Sequence, residues 1–343
     1  MCGIAGFCDF NADFLKDAEK WKQVLVDMRT AIAHRGHDQT GEYLNRHIGL
    51  AHTRLSIRDL VGGTQPMLRK RNGKTFGIVY NGEIYNAEEL KADLLRRGCR
   101  FETTCDTEVI LCGYMEYGME VAKKLNGIFA FTVWDESRSS LFLCRDRMGV
   151  KPLFYAAKGD ALVFGSEPKA LFAHPQIQPK ADLDSFREIF GLGPARTPGC
   201  GVFCGLREVK PGCILEFSRA RVQESHYWKL EAKPHTDSYE ETVEKVLWLL
   251  RDAVKRQLVS DVPVCSFLSG GVDSSVVTAI AARELAKQGV TLNTFSFDFT
   301  HNDTCFQSNA FMLIRCSRFI RCTTPILNVT RQHWPTCSKT RFA

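Results

Sequence analysis

Short apolar runs separated by turn residues dominate the first 215 positions of the chain. Runs such as GIAGF, FGIVYNGEIYN, GIFAFTVWD and SLFLCRDR are rich in β-branched and aromatic residues and are bounded by Gly, Asn or Asp, which predicts strands. Residues 18–35 and 86–98 instead carry apolar residues three and four positions apart. This spacing predicts two amphipathic helices, the second with an Asn cap and a terminal Gly. Many strands with a few helices predict a layered α+β domain.

The pattern changes after residue 215. Residues 216–236 are largely polar and are interpreted as a linker. Residues 238–258 form an amphipathic pattern with a Ser cap and acidic residues in the first turns, which predicts a helix. The runs VPVCSFL, SGGVDSS, SVVTAIAARELAKQG and TLNTFSFDF follow. Strand, glycine-rich loop, helix and strand in this order predict a βαβ unit of an α/β parallel sheet.

Composition places the chain among globular proteins. Of its 343 residues, 44% are apolar and 24% are charged, which disfavours disordered and fibrous classes. The sequence has no run of 18 apolar residues and no secretory signal pattern at its N-terminus, so we expect no membrane association and a cytoplasmic location. The fourteen cysteines follow no disulfide spacing, which favours reduced thiols.

The net charge of +6 is concentrated in the last 43 residues. Residues 301–343 carry six basic residues and one acidic residue, so the rest of the chain is nearly neutral and a nucleic-acid partner is not expected. The same segment lacks glycine, although the chain has 26. We interpret residues 306–343 as an atypical tail that reads like translation in a shifted frame, and we do not expect it to fold well.

Cys2 directly follows the initiator methionine. Removal of Met1 leaves one residue with both a thiol and a free α-amine. The amine titrates at a pKa of about 8, so near neutral pH a fraction of it can accept the thiol proton. This is an N-terminal nucleophile arrangement. The alternative is that Cys2 is only a small residue in a buried first strand.

An amide-hydrolysing thiol also needs hydrogen-bond donors for the developing oxyanion. Asn81 offers its side-chain amide, and Gly82 offers a main-chain N–H that no side chain obstructs; the alternative is an Asn-Gly hairpin turn. An amino-acid substrate needs both of its charges held. Arg54 can bind an α-carboxylate, while Glu83 and Asp106 can bind an ammonium group. Alternatively, each of these three is a surface charge.

Eight sequence blocks occur in a characteristic order: CGIAGF, HRGHDQTGEY, AHTRLSI, GGTQPM, YNGEIYN, CDTEVIL, LNGIFAFTVWD and RDRMGVKPLFY. Together they resemble the glutaminase domain of class II glutamine amidotransferases, over residues 1–215. The resemblance implies a four-layered αββα Ntn hydrolase fold. It also implies a reaction that splits the side-chain amide of glutamine through a γ-glutamyl thioester and releases ammonia.

That resemblance assigns roles residue by residue. It implies Cys2 as nucleophile and Asn81 with Gly82 as the oxyanion hole. The residues that it implies for glutamine binding are Arg54, Leu55, Ser56, Ile57, Asn81, Gly82, Glu83 and Asp106.

The SGGVDSS loop lies between a predicted strand and a predicted helix. Its glycines let main-chain N–H groups turn toward an anion, and its hydroxyls and the helix start add further donors, which is typical of a phosphate site. It is not a Walker A loop, because the Gly-Lys-Ser/Thr ending is absent. The alternative is a Ser/Gly turn before a capped helix.

SGGVDSS resembles the pyrophosphate loop of N-type ATP pyrophosphatases. Combined with a glutaminase domain, it resembles glutamine-hydrolysing asparagine synthetases, with residues 237–305 as the first portion of the synthetase domain. The resemblance implies that ATP and Mg²⁺ activate aspartate as β-aspartyl-AMP, that ammonia displaces AMP, and that Asp273 lies near the metal. Homodimerisation is a family expectation. The residues implied at ATP are Leu268, Ser269, Gly270, Gly271, Asp273, Ser274, Ser275 and Phe297.

The resemblance ends at about residue 305, whereas the family's synthetase domain continues well beyond that point. Two hypotheses follow. The chain is a truncated or frameshifted asparagine synthetase, or it is a free-standing glutaminase or an inactive remnant. A βαβ fragment leaves a strand edge and apolar helix faces uncovered, so we expect the second part to be unstable and prone to aggregate.

Overall fold

The computed structural model describes residues 1–219, 221–299 and 326–329. The chain divides into two compact units, Met1–Ala232 and Lys233–Ala343, and each is described by itself. No helix among the described residues is long and apolar enough to cross a membrane.

The first unit contains two six-stranded sheets. One sheet has the strand order β10-β8-β9-β1-β3-β2 and the other β12-β11-β7-β6-β5-β4, and the pairings within both are antiparallel. In chain order the strands are β1 (Gly3–Asp9), β2 (Gln39–Leu44), β3 (Ile48–Arg54), β4 (Met67–Arg71), β5 (Lys74–Ile84), β6 (Gly127–Asp135), β7 (Ser140–Arg145), β8 (Phe154–Lys158), β9 (Ala161–Gly165), β10 (Arg207–Glu208), β11 (Cys213–Ser218) and β12 (Arg221–His226).

Six helices interrupt the strands in the described part of this unit, in the connections β1–β2, β5–β6 and β9–β10. They are α1 (Ala18–Ala31), α2 (Ala87–Arg96), α3 (Asp106–Tyr117), α4 (Val121–Lys124), α5 (Pro168–Phe172) and α6 (Leu183–Leu192). Short 3-10 turns cover Phe14–Asp17, Ala33–Arg35 and Gly118–Glu120.

Three hydrophobic clusters reveal four layers. The central cluster joins side chains of both sheets, including Ile4 and Leu50 from the first and Val79 and Leu143 from the second. A second cluster packs the outer face of the second sheet against α2 and α3. A third packs the first sheet against α1 and α5. Helix, sheet, sheet, helix is the αββα architecture, so the predicted fold class of this unit is confirmed.

The predicted helices are present with small differences. The first ends at Ala31, and a 3-10 turn completes the predicted span. In the second, Gly98 has a φ of 88°, as a helix-terminating glycine requires. Asn86 is the N-cap residue of α2, as predicted, but its side chain makes no capping hydrogen bond. It donates instead to the carbonyl of Lys124 and accepts from the N–H of Asn126.

The predicted linker is wrong in its first half. Residues 221–226 form β12, which pairs along its whole length with β11 at the edge of the second sheet. Its side chains are mostly exposed, so the strand lacks the apolar alternation by which sequence patterns identify strands. β12 forms because its main chain pairs with that of β11.

The second unit contains the predicted βαβ pattern. Within its described residues, a long helix α7 (Tyr239–Gln257) is followed by β13 (Cys265–Phe267), α8 (Val272–Ala286), β14 (Asn293–Phe299) and β15 (Ile326–Val329). The strands pair in parallel in the order β13-β14-β15. The predicted Ser cap is confirmed, because Ser238 and Glu241 form a reciprocal capping box at the start of α7.

The prediction for residues 306–343 falls outside the described residues, apart from Ile326–Val329, which pair with β14. The predicted boundaries 1–215 and 237–305 stay predictions.

Candidate functional site

One pocket gathers most of the residues that the sequence predicts for glutamine. Its empty volume is about 590 Å³, counting the part open to solvent. Ser56 is not among its lining residues; its main-chain N–H donates to Oδ2 of Asp38 at 2.6 Å. The predicted residues that line the pocket are Cys2, Arg54, Leu55, Ile57, Asn81, Gly82, Glu83 and Asp106.

Cys2 lies immediately before β1, in the middle of the first sheet. Because Gly3 is the register partner of Thr53 in β3, Cys2 is beside the end of β3, and the N–H of Leu55 donates to its Sγ at 3.4 Å. Nε of Arg35 donates to the Cys2 carbonyl at 3.0 Å. Cys2 thus lies just before the first strand rather than inside it, and the residue lines the pocket. Its role as nucleophile stays a prediction.

The Cys2 thiol needs a base to become a nucleophile. Burial raises the pKa of this thiol, which favours its protonated form. Burial lowers the pKa of the terminal amine of Met1, with the nearby cations Arg35 and Lys151 acting in the same direction. An amine in this part of the pocket therefore carries less positive charge near neutral pH than an exposed amine.

Asn81 and Gly82 lie inside β5, where their register partners in β6 are Ala130 and Phe129. The hairpin-turn interpretation is therefore wrong. Side chains alternate along a strand, and Val79 belongs to the cluster between the two sheets. Asn81 consequently points toward the first sheet, the sheet that begins with Cys2.

Two hydrogen-bond donors at this position suit an oxyanion. The side-chain nitrogen Nδ2 of Asn81 is buried and has no hydrogen-bond partner. Main-chain groups alternate in direction along an antiparallel strand. The N–H groups of Tyr80 and Ile84 point away from β6, to side chains of Gln65 and Asp106, so the N–H of Gly82 between them points to the same edge.

Gly82 is required at its position by close packing. A Cβ there would lie 2.2 Å from the carbonyl oxygen of Ile128 and 2.6 Å from Cα of Phe129. Both are main-chain atoms of the β6 segment, which cannot move aside without disturbing the sheet.

Arg54 is only 5% exposed, so it is not a surface charge. Its Nη1 donates to Gln39 at 2.6 Å, and its Nη2 donates to the carbonyl oxygens of Arg58 at 3.1 Å and Asp59 at 2.5 Å. The guanidinium therefore shapes the loop that follows β3 in addition to lining the pocket.

Two carboxyl groups also line the pocket, those of Glu83 and Asp106. Asp106 begins α3, is 7% exposed, and accepts hydrogen bonds from the hydroxyl of Tyr80 at 2.7 Å and the N–H of Ile84 at 3.1 Å. Burial raises the pKa of Asp106. Burial and the nearby Asp106 raise the pKa of Glu83. An ammonium group placed between two such carboxyls would stabilise their charged forms.

Sequence reasoning missed several residues of the pocket. Six of them belong to blocks that carried the family resemblance, and those blocks were the available signal: Gly63 and Gln65 in GGTQPM, Tyr80 in YNGEIYN, Cys105 and Thr107 in CDTEVIL, and Lys151 in RDRMGVKPLFY. Burial lowers the pKa of Lys151. The lining residues that were not predicted are Met1, Arg58, Gly63, Gln65, Tyr80, Cys105, Thr107 and Lys151.

The predicted phosphate loop connects β13 to α8. Gly270 has a φ of 85°, and Gly271 is the N-cap of α8 with no side chain capping it. The hydroxyls of Ser269 and Ser274 are 3.0 Å apart. Uncapped N–H groups of a first helical turn, next to two hydroxyls, fit a phosphate. Ser275 lies in the same first turn.

The remaining residues predicted at ATP lie on the adjoining strands. Leu268 is fully buried, and its N–H donates to the carbonyl of Phe295 at 2.9 Å. Phe297 lies in β14 opposite Leu327. Asp273 is exposed in the first turn of α8. Among the described residues no three His, Cys, Asp or Glu side chains converge to hold a metal; Mg²⁺ on a nucleotide needs only one or two carboxylates besides phosphate oxygens, which Asp273 fits.

Comparison with known proteins places the chain in a family. Residues 1–228 match the glutamine amidotransferase domain family. The chain belongs to this family. Residues 245–309 match the asparagine synthase family. The resemblance found in the sequence, a class II glutaminase domain followed by asparagine synthase sequence, is confirmed.

The chain is similar to several curated proteins. The chain is 48% identical over 312 residues to asparagine synthetase [glutamine-hydrolyzing] 3 of Bacillus subtilis, covering 91% of this chain and 50% of that protein. It is 36% identical to putative asparagine synthetase [glutamine-hydrolyzing] 2 of Methanocaldococcus jannaschii, covering 87% and 60%. It is 36% identical to amidase chry2 of Gibberella zeae, covering 85% and 44%. The chain thus spans about half the length of the curated relatives it matches.

A solved structure is also similar. The B. subtilis glutamine phosphoribosylpyrophosphate amidotransferase aligns with a TM-score of 0.49 and 16% sequence identity, covering 96% of this chain and 81% of that chain.

Proposed function

We propose that this chain hydrolyses glutamine to glutamate and ammonia, as the ammonia-producing half of a glutamine-dependent asparagine synthetase. One observation carries the proposal: Asn81, whose Nδ2 is buried and has no hydrogen-bond partner, lines the same pocket as Cys2. A buried donor without a partner costs free energy. A donor kept in that state next to a nucleophile is suited to bind charge that develops during a reaction.

The proposed reaction starts after removal of Met1. The α-amine of Cys2 accepts the thiol proton, and the sulfur attacks the side-chain amide carbon of glutamine. The oxygen of the tetrahedral intermediate accepts hydrogen bonds from Asn81 Nδ2 and the N–H of Gly82. The amine returns the proton to the leaving nitrogen, and ammonia departs. Water then hydrolyses the γ-glutamyl thioester to glutamate and restores the thiol.

The charges of the pocket support an amino-acid substrate. We assign the α-carboxylate of glutamine to Arg54, beside Leu55 and Ile57, and the α-ammonium group to Glu83 and Asp106. Because most Arg54 donors already bind main-chain carbonyls and Gln39, the guanidinium is held rigidly, which favours binding of a carboxylate of fixed orientation.

The second unit supports a nucleotide-dependent step. We assign the pyrophosphate of ATP to the loop from Ser269 to Ser275, and Mg²⁺ to Asp273 together with phosphate oxygens. Bound ATP would transfer its AMP group to an oxygen of the aspartate β-carboxylate and release pyrophosphate. The AMP group would then be a good leaving group when ammonia attacks the activated carboxyl. The chain's own residues hold the phosphates through first-turn N–H groups of α8 and the serine hydroxyls.

The test is glutamate release by the purified full chain, with the intact mass recorded on the same sample. We expect glutamate from the form that lacks Met1 and none from Cys2→Ala. Cys99→Ala is the matched control, since Cys99 is also a half-buried free thiol but does not line the pocket. A processed, folded protein that releases no glutamate would refute the proposal and favour the inactive-remnant hypothesis.

A second arm tests the nucleotide-dependent step. ATP, Mg²⁺ and aspartate are added to the active protein, and asparagine, AMP and pyrophosphate are measured. Formation of all three supports asparagine synthesis by this chain. Glutamate without asparagine supports the free-standing glutaminase alternative.

A further inference from the structure

The main chain of Tyr80 is held by two buried side chains rather than by a neighbouring strand. The pairing of β4 with β5 ends at Met67 opposite Ile78, so the edge of β5 that carries Tyr80 lies beyond the end of β4. Oε1 of Gln65 accepts from the Tyr80 N–H at 2.6 Å. Nε2 of His52 lies 3.1 Å from the Tyr80 carbonyl oxygen and donates to it, since a carbonyl can only accept.

Both side chains that hold Tyr80 are deeply buried, His52 at 1% and Gln65 at 6% exposure. Burial lowers the pKa of His52 to about 4, so the imidazole is neutral at pH 7 and one ring nitrogen carries the proton. Nδ1 of His52 is buried without a partner. The proton therefore belongs on Nε2, where it bonds the Tyr80 carbonyl.

The Tyr80 carbonyl belongs to the same planar peptide unit as the N–H of Asn81. Fixing the Tyr80 carbonyl and N–H therefore fixes the strand direction at Asn81. The Tyr80 hydroxyl donates to Asp106 at 2.7 Å, which holds the third polar group of the same residue. Three contacts thus position the residue that precedes the unpartnered Asn81 amide.

His52 also connects the two sheets. It lies in β3 opposite Ile4 of β1, and Ile4 is two residues after Cys2. The His52 side chain contacts the carbonyl of Tyr80, which lies in β5 of the second sheet. Cys2 and Asn81 come from different sheets, so the distance between thiol and amide depends on the spacing of the sheets at this point. The His52–Tyr80 hydrogen bond spans that spacing directly.

We propose that His52 and Gln65 are positioning residues of the glutaminase reaction, which hold the main chain of Tyr80 so that the donors of Asn81 and Gly82 stay at a fixed distance from Cys2. This inference rests on the proposed function. Neither residue touches the reacting atoms, so the expected effect is on kcat, because the oxyanion develops only after glutamine is bound.

The test compares four variants of the full, processed chain. His52→Leu removes the donor and Gln65→Met removes the acceptor, each with a side chain of similar length. His52→Gln keeps an N–H donor near the position of Nε2. His174→Leu is the matched control: His174 is a second histidine with 3% exposure and a pKa lowered to about 4 by burial, and it does not line the pocket.

Losing the position of one oxyanion donor lowers kcat by about 100-fold in comparable sites. We expect His52→Leu and Gln65→Met to lower kcat for glutamine by about that factor, with KM changed less than about threefold. His52→Gln should recover kcat to within about tenfold of wild type, and His174→Leu should retain it. Alkylation of Cys2 by iodoacetamide needs no oxyanion donor and should proceed at the wild-type rate in every variant.

Thermal unfolding identifies variants that fail to fold; if His52→Leu does, Gln65→Met and His52→Gln still decide the question. Two results would overturn the positioning role alone, provided that wild type is active. One is an unchanged kcat in Gln65→Met. The other is a kcat of His52→Gln as low as that of a folded His52→Leu. Equal losses in kcat and in Cys2 alkylation would also overturn it, since that indicates general disorder of the pocket. A wild type that releases no glutamate would overturn the proposed function, and the positioning role with it.

Discussion

The buried histidine His174 makes a specific prediction about stability and pH. Its side chain lies 3% exposed in an aromatic cluster, with ring centroids 5.1 Å from Phe7 and 5.8 Å from Trp21. Nδ1 accepts a hydrogen bond from the N–H of Gln176 at 3.3 Å. Burial lowers the pKa of His174 from 6.5 to about 4, because the aromatic surroundings cannot solvate a charged ring.

The magnitude follows from the two pKa values. In the unfolded chain His174 takes up a proton as the pH falls through 6.5, while the folded protein does so only near 4. Stability that is fully present above pH 6.5 is therefore lost as the pH falls toward 4. The loss at pH 5, relative to pH 8, is about 2 kcal/mol, and it approaches about 3 kcal/mol below pH 4.

Replacing His174 by Leu removes the contribution of this histidine to the pH dependence of stability. Urea unfolding followed by tryptophan fluorescence at pH 8 and pH 5 gives the free energy of unfolding of wild type and variant. Other titrating groups are common to both proteins and cancel in the comparison. We expect wild type to lose about 2 kcal/mol more than His174→Leu between pH 8 and pH 5. His37→Leu, at a side chain 79% exposed, is the control and should follow wild type.

Parallel pH dependences of wild type and His174→Leu would refute the reasoning. They would mean either that His174 is protonated in the folded protein or that the folded protein admits water at this cluster. The free energy of unfolding of the variant could instead fall more than that of wild type between pH 8 and pH 5. That result would be equally incompatible with a histidine that is neutral because it is buried.

Three further predictions concern the candidate pocket and the second unit. Asn81→Ala should lower kcat for glutamine by about 100- to 1000-fold with KM little changed, measured by initial rates; an equal rise in KM would indicate a binding role instead. Gly82→Ala should lower the free energy of unfolding by about 1–3 kcal/mol, measured by urea unfolding, because its Cβ would lie 2.2 Å from the Ile128 carbonyl oxygen; wild-type stability would show that β6 can yield. Ser238→Ala should cost about 1 kcal/mol by removing the capping box of α7, and circular dichroism during urea unfolding should detect the loss, whereas unchanged helix stability would contradict it.

Local patterns in the sequence determined the elements whose faces differ in polarity. The helix α7 has an apolar stripe and a reciprocal cap within one turn, and the βαβ order of the second unit follows from short apolar runs around a glycine-rich loop. These features depend on residues close together in the chain, so periodicity and capping rules identify them.

Elements that are buried or exposed on all sides escaped the same reasoning. The first nine residues of α3, Asp106 to Tyr114, are all buried, so this helix has no polar face to create an amphipathic period. β12 is polar apart from Val222 and forms because β11 offers main-chain partners. Neither property is visible in a local window of sequence.

The sequence determined which residues could form the candidate site, and the tertiary structure determined how they are arranged. The residue types Cys2, Asn81, Gly82, Arg54, Glu83 and Asp106 could be named from motif blocks, because their chemistry is carried by each residue itself. Their mutual arrangement could not, since it depends on how two sheets pack and on strand register between distant segments. The bond from His52 to Tyr80 exists only because β3 and β5 face each other across the core, and packing of that kind is decided by the whole fold rather than by neighbouring residues.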